Sequence, residues 1–331
     1  MTAAGRGRRA VRDGPVAIPH GEKTATLTIA GRAVTLTNLA KLFWPARGIT
    51  NGITNGIPNG ITKRDLLQYY ADVAPVLLPH LAGRAMVMKR YPDGALGKCF
   101  FMKRTPEPHP VWLRQCAIEH ASGSIIDFPV IDDVAALLWL VNLGCIDLNP
   151  WYARCDDVDR PDCLYIDLDP GPGASFAKVR EAALLVRDGL AADGLPSYAK
   201  TTGSRGIHVA VPIVRGPVQK AVWTYAKAFA IRLAERAPRL LTAVYRVADR
   251  PRGRVLVDYN QNAWGRTLAS IYSARPTPKA TVSTPVTWEE IEQGIDMNEF
   301  RMDTVPGRVR ERGDLWAPIL ARRGRAKLPA S

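Results

Sequence analysis

The sequence predicts a mixed α/β fold, with mixed or antiparallel sheets flanked by helices, built as one large unit. Two observations lead there. Strand-like and helix-like periodicities interleave along the 331 residues, the pattern of a layered α/β domain. No Pro/Gly-rich linker interrupts residues 63–300, so one unit, with room for two sheets, accounts for the chain.

The elements follow in order. Residues 1–22 are small, basic and Pro/Gly-containing, and read as a disordered tail. TATLTIAGRAVTLTN alternates around Gly31 and predicts a hairpin. TKRDLLQYYADVAPVLLPHL predicts a helix, with Thr62 and Asp65 as a capping-box variant and Leu66, Leu67, Tyr70, Val73 and Leu77 on one stripe. MVMKRYPDG and GKCFFMKR predict two strands meeting at a turn. Residues 131–146 carry a helical pattern capped by Asp132 or Asp133. CLYIDLDPGPG is a short apolar strand ending at Pro170, and residues 176–194 form an amphipathic helix ending in Gly194. SYAKTTGSRGIHVAVPI reads strand, Gly-containing turn, strand. A helix over 218–235, a strand at RVLVDYNQN and a last helix over 288–293 follow. Residues 317–331 read as a second basic tail.

Composition narrows the partners. Lys and Arg number 45 against 31 Asp and Glu, a net charge of +14. Arg322, Arg323, Arg325 and Lys327 are terminal, but Arg246, Arg250, Arg252, Arg254, Arg266 and Arg275 lie inside the fold. Such a balance fits a polyanionic partner, nucleic acid or nucleotide. The longest apolar run, from Val134, is broken by Asn142 and Gly144 and is too short for a membrane span. Five cysteines without C-x-x-C spacing argue against a disulfide framework or structural zinc. With no secretory signal behind the N-terminal arginines, a cytoplasmic, nucleoid-associated location is expected.

In YIDLDP, Asp167 and Asp169 lie two apart on a strand and therefore share a face, with Leu168 turned to the core. Neighbouring carboxylates repel unless a cation sits between them, and hard divalent ions take such oxygen ligands. Asp258 follows Val255-Leu256-Val257 in the same context. Three aspartates from two strands could hold two divalent ions, as in nucleotidyl transfer. TTGSRGIHVAV sets Thr202, Ser204, Arg205 and His208 around Gly203 and Gly206. The glycines would let backbone N–H groups approach a phosphate, with hydroxyl donors and a guanidinium alongside.

The succession LYIDLDPGP, TTGSRGIHV, VLVDYNQN and IYSARP resembles the polymerase domain of bacterial ligase D, in the archaeo-eukaryotic primase superfamily. The resemblance continues in TNLAKLFWP, GKCFFMKR, TPVTWEE and DTVPGRVRERGDLW, and so covers residues 24–316. It implies a primase-like core at 23–316 and a nucleotidyltransferase that extends or fills DNA ends in non-homologous end joining. It implies that Asp167, Asp169 and Asp258 hold two Mn2+ or Mg2+ ions, and that Thr202, Ser204, Arg205, His208, Asn149, Gln261 and Arg275 bind an NTP or dNTP. Arg250 or Arg252 would supply a further arginine. Lys41 and Lys63, with Asn38, would bind a downstream DNA 5′-phosphate, and Phe100 and Phe101 would stack on template bases. Ribonucleotides would be favoured, and Ku and a separate DNA ligase would be partners of a stand-alone polymerase, with no membrane involved.

Departures from the pattern are few. Thr202 stands for a usual Ser and Arg205 for a usual Lys, while Asp147-Leu148-Asn149-Pro150 replaces Glu-x-His-Pro. Two other readings remain: a non-catalytic DNA-end-binding scaffold, and a haloacid-dehalogenase-like phosphatase, whose motif expects Thr or Val where this chain has Gly171. Finally, GITNGITNGIPNGITK at 48–63 repeats one unit three times. It reads as a loop insertion over 48–62 that leaves Lys63 at a helix start, bulging outward near downstream DNA.

Overall fold

The computed structural model describes residues 15–45 and 60–329. The expected hairpin is β1 (Thr24–Ile29) with β2 (Arg32–Thr37). A short pair, β3 (Leu42–Trp44) and β4 (Ile61–Thr62), brackets the repeat. Most of the repeat itself lies outside the described residues. Helix α1 (Lys63–Leu81) opens on the capping box that Thr62 and Asp65 predict, and all five stripe residues are fully buried.

Next come β5 (Met86–Arg90) and β6 (Phe100–Met102), paired antiparallel as expected. The hairpin β7 (Gln115–Glu119) and β8 (Ile125–Pro129) follows. Helix α2 (Val134–Asn142) is capped by Asp133, whose side chain accepts from the Ala136 amide. It ends four residues earlier than the periodicity suggests. Gly144, at φ +80, turns the chain, and Cys145 and Ile146 open strand β9 (Cys145–Pro150). Pairing with β5 captures that apolar tail as strand.

The hairpin β10 (Ala153–Arg154) and β11 (Asp157–Pro161) precedes the central strand β12 (Cys163–Pro170). Then come α3 (Phe176–Ala192), β13 (Tyr198–Thr201), β14 (Ile207–Pro212), α4 (Gln219–Arg236), β15 (Leu241–Thr242) and β16 (Val255–Asp258). The strand β17 (Pro285–Val286) and helices α5 (Trp288–Gln293), α6 (Val305–Arg312) and α7 (Ala317–Leu320) complete the chain.

Two sheets dominate. One has six strands in the order β15-β16-β12-β14-β13-β17, and the other three in the order β6-β5-β9. Around β12 the pairing is antiparallel on both sides. Leu168 is fully buried, opposite Ile207 and Val257, and α3 and α4 both pack on β12. That face is therefore core, and the alternation of the strand turns its aspartates to the other.

Both expected tails meet packed structure in their described parts. Ile18 is buried, its amide donates to Gln68 Oε1 at 2.8 Å, and its carbonyl accepts from Arg64. At the other end Ile319 is buried, Ala326 bridges Ile213, and Arg325 donates to the carbonyls of Asp162 and Ile213. Arg325 is thus an internal strut and not a solvated charge. Its pattern looks disordered because its partners are more than a hundred residues away.

Candidate active site

One row of side chains crosses four neighbouring strands. Asp258 on β16 pairs with Asp167 on β12, Asp167 pairs with His208 on β14, and His208 pairs with Lys200 on β13. Residues opposite one another in a sheet point to the same face. Asp169, two residues beyond Asp167, joins that face at the strand end. All three aspartates sit where β12 and β16 stop, as the sequence implies.

The carboxylates are short of counter-charge. Burial raises the Asp167 carboxyl to about 6, against the pull of Lys200 and Arg275. Burial, then repulsion from Asp167 and Asp258, raises Asp169 to about 7, with Arg205 and Arg250 opposing. Burial also raises Asp258, although the Asn260 amide and Gln261 Nε2 donate to it at 2.8 and 3.0 Å. Asp167 Oδ1 is buried without a hydrogen bond. Among the described residues no three acidic, His or Cys side chains are already closed into a ligand cage. The donor set is hard oxygen, crowded and under-neutralised, and this fits a divalent cation.

Asp167 and Asp169 open onto a cleft of about 300 Å³ between the two sheets, with Asp258 beside Asp167 just behind its lining. Asp167, Asp169, Thr202, Ser204, Arg205, His208, Gln261 and Arg275 line its floor, and Lys89, Phe101, Asp147 and Asn149 face them from the smaller sheet. The cleft therefore gathers every nucleotide-site residue that the resemblance implies. Arg250, the better placed of the two candidate arginines, acts on Asp169 and Asp258.

The turn at 202–206 works differently from its sequence reading. Thr202 Oγ1 accepts from the amides of Ser204 and Gly206, at 3.1 and 3.0 Å. Those N–H groups are spent inside the turn, leaving the Thr202 hydroxyl proton to donate outward. The glycines answer to packing. A Cβ on Gly206 would lie 2.3 Å from the Leu168 carbonyl oxygen, and one on Gly203 (φ +65) would lie 2.6 Å from Arg275 Cγ.

Asn149 Nδ2 donates to the Asp147 carbonyl at 3.2 Å. The buried Asp147 carboxylate meets Lys89 Nζ at 3.2 Å, Arg275 Nε at 3.4 Å and the Tyr91 hydroxyl at 3.0 Å. It holds two cations beside the cleft, Lys89 from its own sheet and Arg275 from the loop before β17. The sequence reading missed Lys89 and Lys200, and it passed Asp147 over as a departure from a pattern. The available signal was a lone lysine inside an otherwise strand-like YAKT.

Lys41, Lys63 and Asn38 gather at the start of α1, away from the aspartates. Lys63 is buried and donates from Nζ to the Thr37 carbonyl at 2.7 Å. Burial, with Lys41 and Arg90 close by, lowers its ammonium to about 8. Lys41 is more exposed and reaches the Pro92 carbonyl at 2.5 Å. Asn38 forms the linking turn at φ +55, its carbonyl accepting from Lys41. The helix N-terminus does not offer free amides. Lys63 N–H bonds the Lys41 carbonyl, Arg64 N–H the Leu39 carbonyl and Asp65 N–H the Thr62 hydroxyl. The attraction for an anion comes instead from the three crowded cations.

Phe100 and Phe101 are both exposed, at 43% and 64%. The alternation of a strand would bury one of them, but β6 is an edge strand and neither is core. Arg90 lies over the Phe100 ring and Lys89 over the Phe101 ring, at 5.3 and 5.6 Å.

A mixed sheet carrying acids at adjacent strand ends, facing a basic cleft under a second sheet, defines a primase-polymerase class of nucleotidyltransferase. Comparison with known proteins gives the particular family. Residues 62–316 match the family described as LigD, primase-polymerase domain. The multifunctional non-homologous end joining protein LigD of Mycolicibacterium smegmatis is 33% identical over 288 residues, 86% of this chain and 36% of that protein. The Pseudomonas aeruginosa LigD is 30% identical over 272 residues, 80% of this chain and 31% of that protein. The polymerase domain from Mycobacterium tuberculosis ligase D, solved in complex with DNA, superposes with a TM-score of 0.78 at 32% identity, covering 87% of this chain and 98% of that one. The chain belongs to the LigD primase-polymerase domain family, whose members are metal-dependent, DNA-directed nucleotidyltransferases. It spans about a third of the length of these curated relatives. Membership sets the phosphatase reading aside. Among the described residues no helix is long and apolar enough to cross a membrane.

Proposed function

We propose that this protein extends and gap-fills DNA ends with NTP or dNTP during non-homologous end joining. The observation that carries the reading is the side-by-side placement of Asp167 and Asp258, with Asp169 beside them, at the mouth of a cleft lined by Arg205, Arg275 and Lys89. Asp167, Asp169 and Asp258 would hold two Mn2+ or Mg2+ ions, which supply Lewis-acid activation of a 3′-hydroxyl and neutralise charge on departing pyrophosphate. The chain's own groups do the rest. Arg205 and the Thr202 and Ser204 hydroxyls engage the triphosphate, and Arg275 and Lys89, held by Asp147, close over it. Asn149 and Gln261 offer amide donors to the nucleotide. Phe100 and Phe101 offer faces to unpaired template bases. Lys41 and Lys63, with the turn at Asn38, receive the 5′-phosphate across the gap. Ku and a DNA ligase would be its partners in end joining, and the nucleoid is where it would act. The scaffold alternative requires an inert triad.

Extension of a labelled primer tests this on a gapped duplex with and without 5′-phosphate, using manganese and each nucleotide type. The expected result is extension, stronger with the 5′-phosphate and with ribonucleotides. No extension under any of these conditions would sink the polymerase reading. Extension surviving Asp167→Ala with Asp169→Ala would sink the site.

A further inference from the structure

Lys200 is fully buried, yet it carries an amine into the protein interior. It does not line the cleft, and so it cannot touch a nucleotide. Its Nζ lies 2.6 Å from His208 Nδ1, 2.9 Å from the Ala269 carbonyl and 2.6 Å from Ser283 Oγ. On the far side of the imidazole, His208 Nε2 lies 3.2 Å from Asp167 Oδ1. The chain Lys200–His208–Asp167 thus runs from the core to the first aspartate through one ring.

Hydrogen-bond bookkeeping fixes the direction of this chain. Ser283 Oγ donates its proton to the Thr201 carbonyl at 2.9 Å, so toward Lys200 it accepts. The Ala269 carbonyl can only accept. Two lysine N–H groups are therefore committed, and the third position faces Nδ1. Asp167 Oδ1 has no other hydrogen bond, and a lone pair on Nε2 aimed at a carboxylate would be repulsive. A proton on Nε2 removes that conflict and leaves Nδ1 as the acceptor for the third lysine N–H. The opposite tautomer satisfies Lys200 only as a neutral amine and sets two lone pairs against each other at Asp167. Burial, then Arg275, holds the Lys200 ammonium well below the usual lysine range, with Asp167 opposing. Three acceptors around one Nζ answer that burial cost locally.

We propose that Lys200 is a positioning residue: by donating to Nδ1 it holds His208 as the neutral Nε2–H tautomer, with its donor aimed at Asp167 and the cleft. Which reaction this serves rests on the polymerase reading above, whereas the tautomer does not. A partner behind an imidazole fixes ring orientation in the same way around metal sites, where its loss costs roughly 10–100-fold in activity.

The test is a long-range 1H–15N spectrum of metal-free protein at neutral pH, labelled at its five histidines, with His208→Gln to assign the signal. The expected wild-type spectrum shows Nε2 protonated and Nδ1 bare. Lys200→Met should lose that single tautomer, and primer-extension kcat should fall roughly 10–100-fold with little change in nucleotide KM. A wild-type proton on Nδ1 overturns the proposal. So does a folded Lys200→Met protein that keeps the Nε2–H form, or one that keeps wild-type kcat. If Lys200→Met does not fold, the wild-type spectrum alone decides. Wild-type protein that shows the expected tautomer but no extension would count against the polymerase reading and not against this one.

Discussion

Asp167 and Asp258 stand directly opposite each other on neighbouring antiparallel strands, and no cationic side chain lies within salt-bridge distance of Asp258 among the described contacts. Burial, and for Asp169 and Asp258 the neighbouring carboxylates as well, raises all three acids. Asp167 and Asp169 have folded-state values of about 6 and 7, above those of an unfolded chain. The metal-free native state therefore binds more protons, and its stability falls as pH rises from about 4 to about 7. Manganese should oppose this only where the carboxylates are ionised. Thermal unfolding should show a larger manganese-induced rise in Tm at pH 8 than at pH 5. Asp167→Asn with Asp169→Asn should raise the metal-free Tm at pH 8 and abolish the manganese shift. An equal shift at both pH values would contradict the assignment.

Lys63 should make 5′-phosphate recognition pH-dependent. Its ammonium, lowered to about 8, is charged at neutral pH and is lost as pH rises through that value. Preference for a 5′-phosphorylated gap over an unphosphorylated one should therefore decline between pH 7 and pH 9. Lys63→Met should remove about 1.5–3 kcal/mol of that preference, the worth of a hydrogen bond to a charged group. Fluorescence anisotropy on the two duplexes measures both effects.

The turn at 202–206 should be intolerant of a methyl group at Gly206. A Cβ there would sit 2.3 Å from the Leu168 carbonyl oxygen, and that strand backbone has little room to give. Gly206→Ala should cost about 1–3 kcal/mol in urea unfolding and displace the strand that carries the aspartates. Gly216, where a Cβ would meet nothing within 4 Å, is the control, and Gly216→Ala should unfold like the wild type.

Removing residues 51–62 should preserve extension on a simple primer. The deletion joins Gly48-Ile49-Thr50 to Lys63, which reads the same as keeping Gly60-Ile61-Thr62 and deleting the three preceding units. The buried isoleucine of β4 and the threonine that caps α1 are thus both regenerated. The added loop costs little in closure entropy, about 0.6 kcal/mol per doubling of length. Loss of extension on a simple primer would make the repeat part of the catalytic fold.

How much was legible depended on range. The capping box at Thr62 and Asp65, the stripe along α1 and the D-x-D strand are local patterns, set by bonds between residues a few positions apart. They appear in the structure where the sequence puts them. The resemblance across residues 24–316 carried the family, and with it the residues to look for. Three features needed the third dimension. The helical pattern over 131–146 stops at Asn142 because β5 recruits the following residues into a sheet. The basic C-terminal segment packs because Asp162 and Ile213, distant in sequence, accept from Arg325. The first two amides of α1 are satisfied by the Lys41 and Leu39 carbonyls, which lie on the far side of the repeat in sequence.

The sequence by itself determined the aspartate pair and the basic character, since strand alternation and residue type are written along one dimension. Only the tertiary structure decided that Asp258, Asp167, His208 and Lys200 form one row, because cross-strand register sets which residues of four separate strands share a face. That register turns a lone lysine in an apolar strand into the partner of the site's histidine. It also sets the carboxylates at the row's other end close together and short of counter-charge.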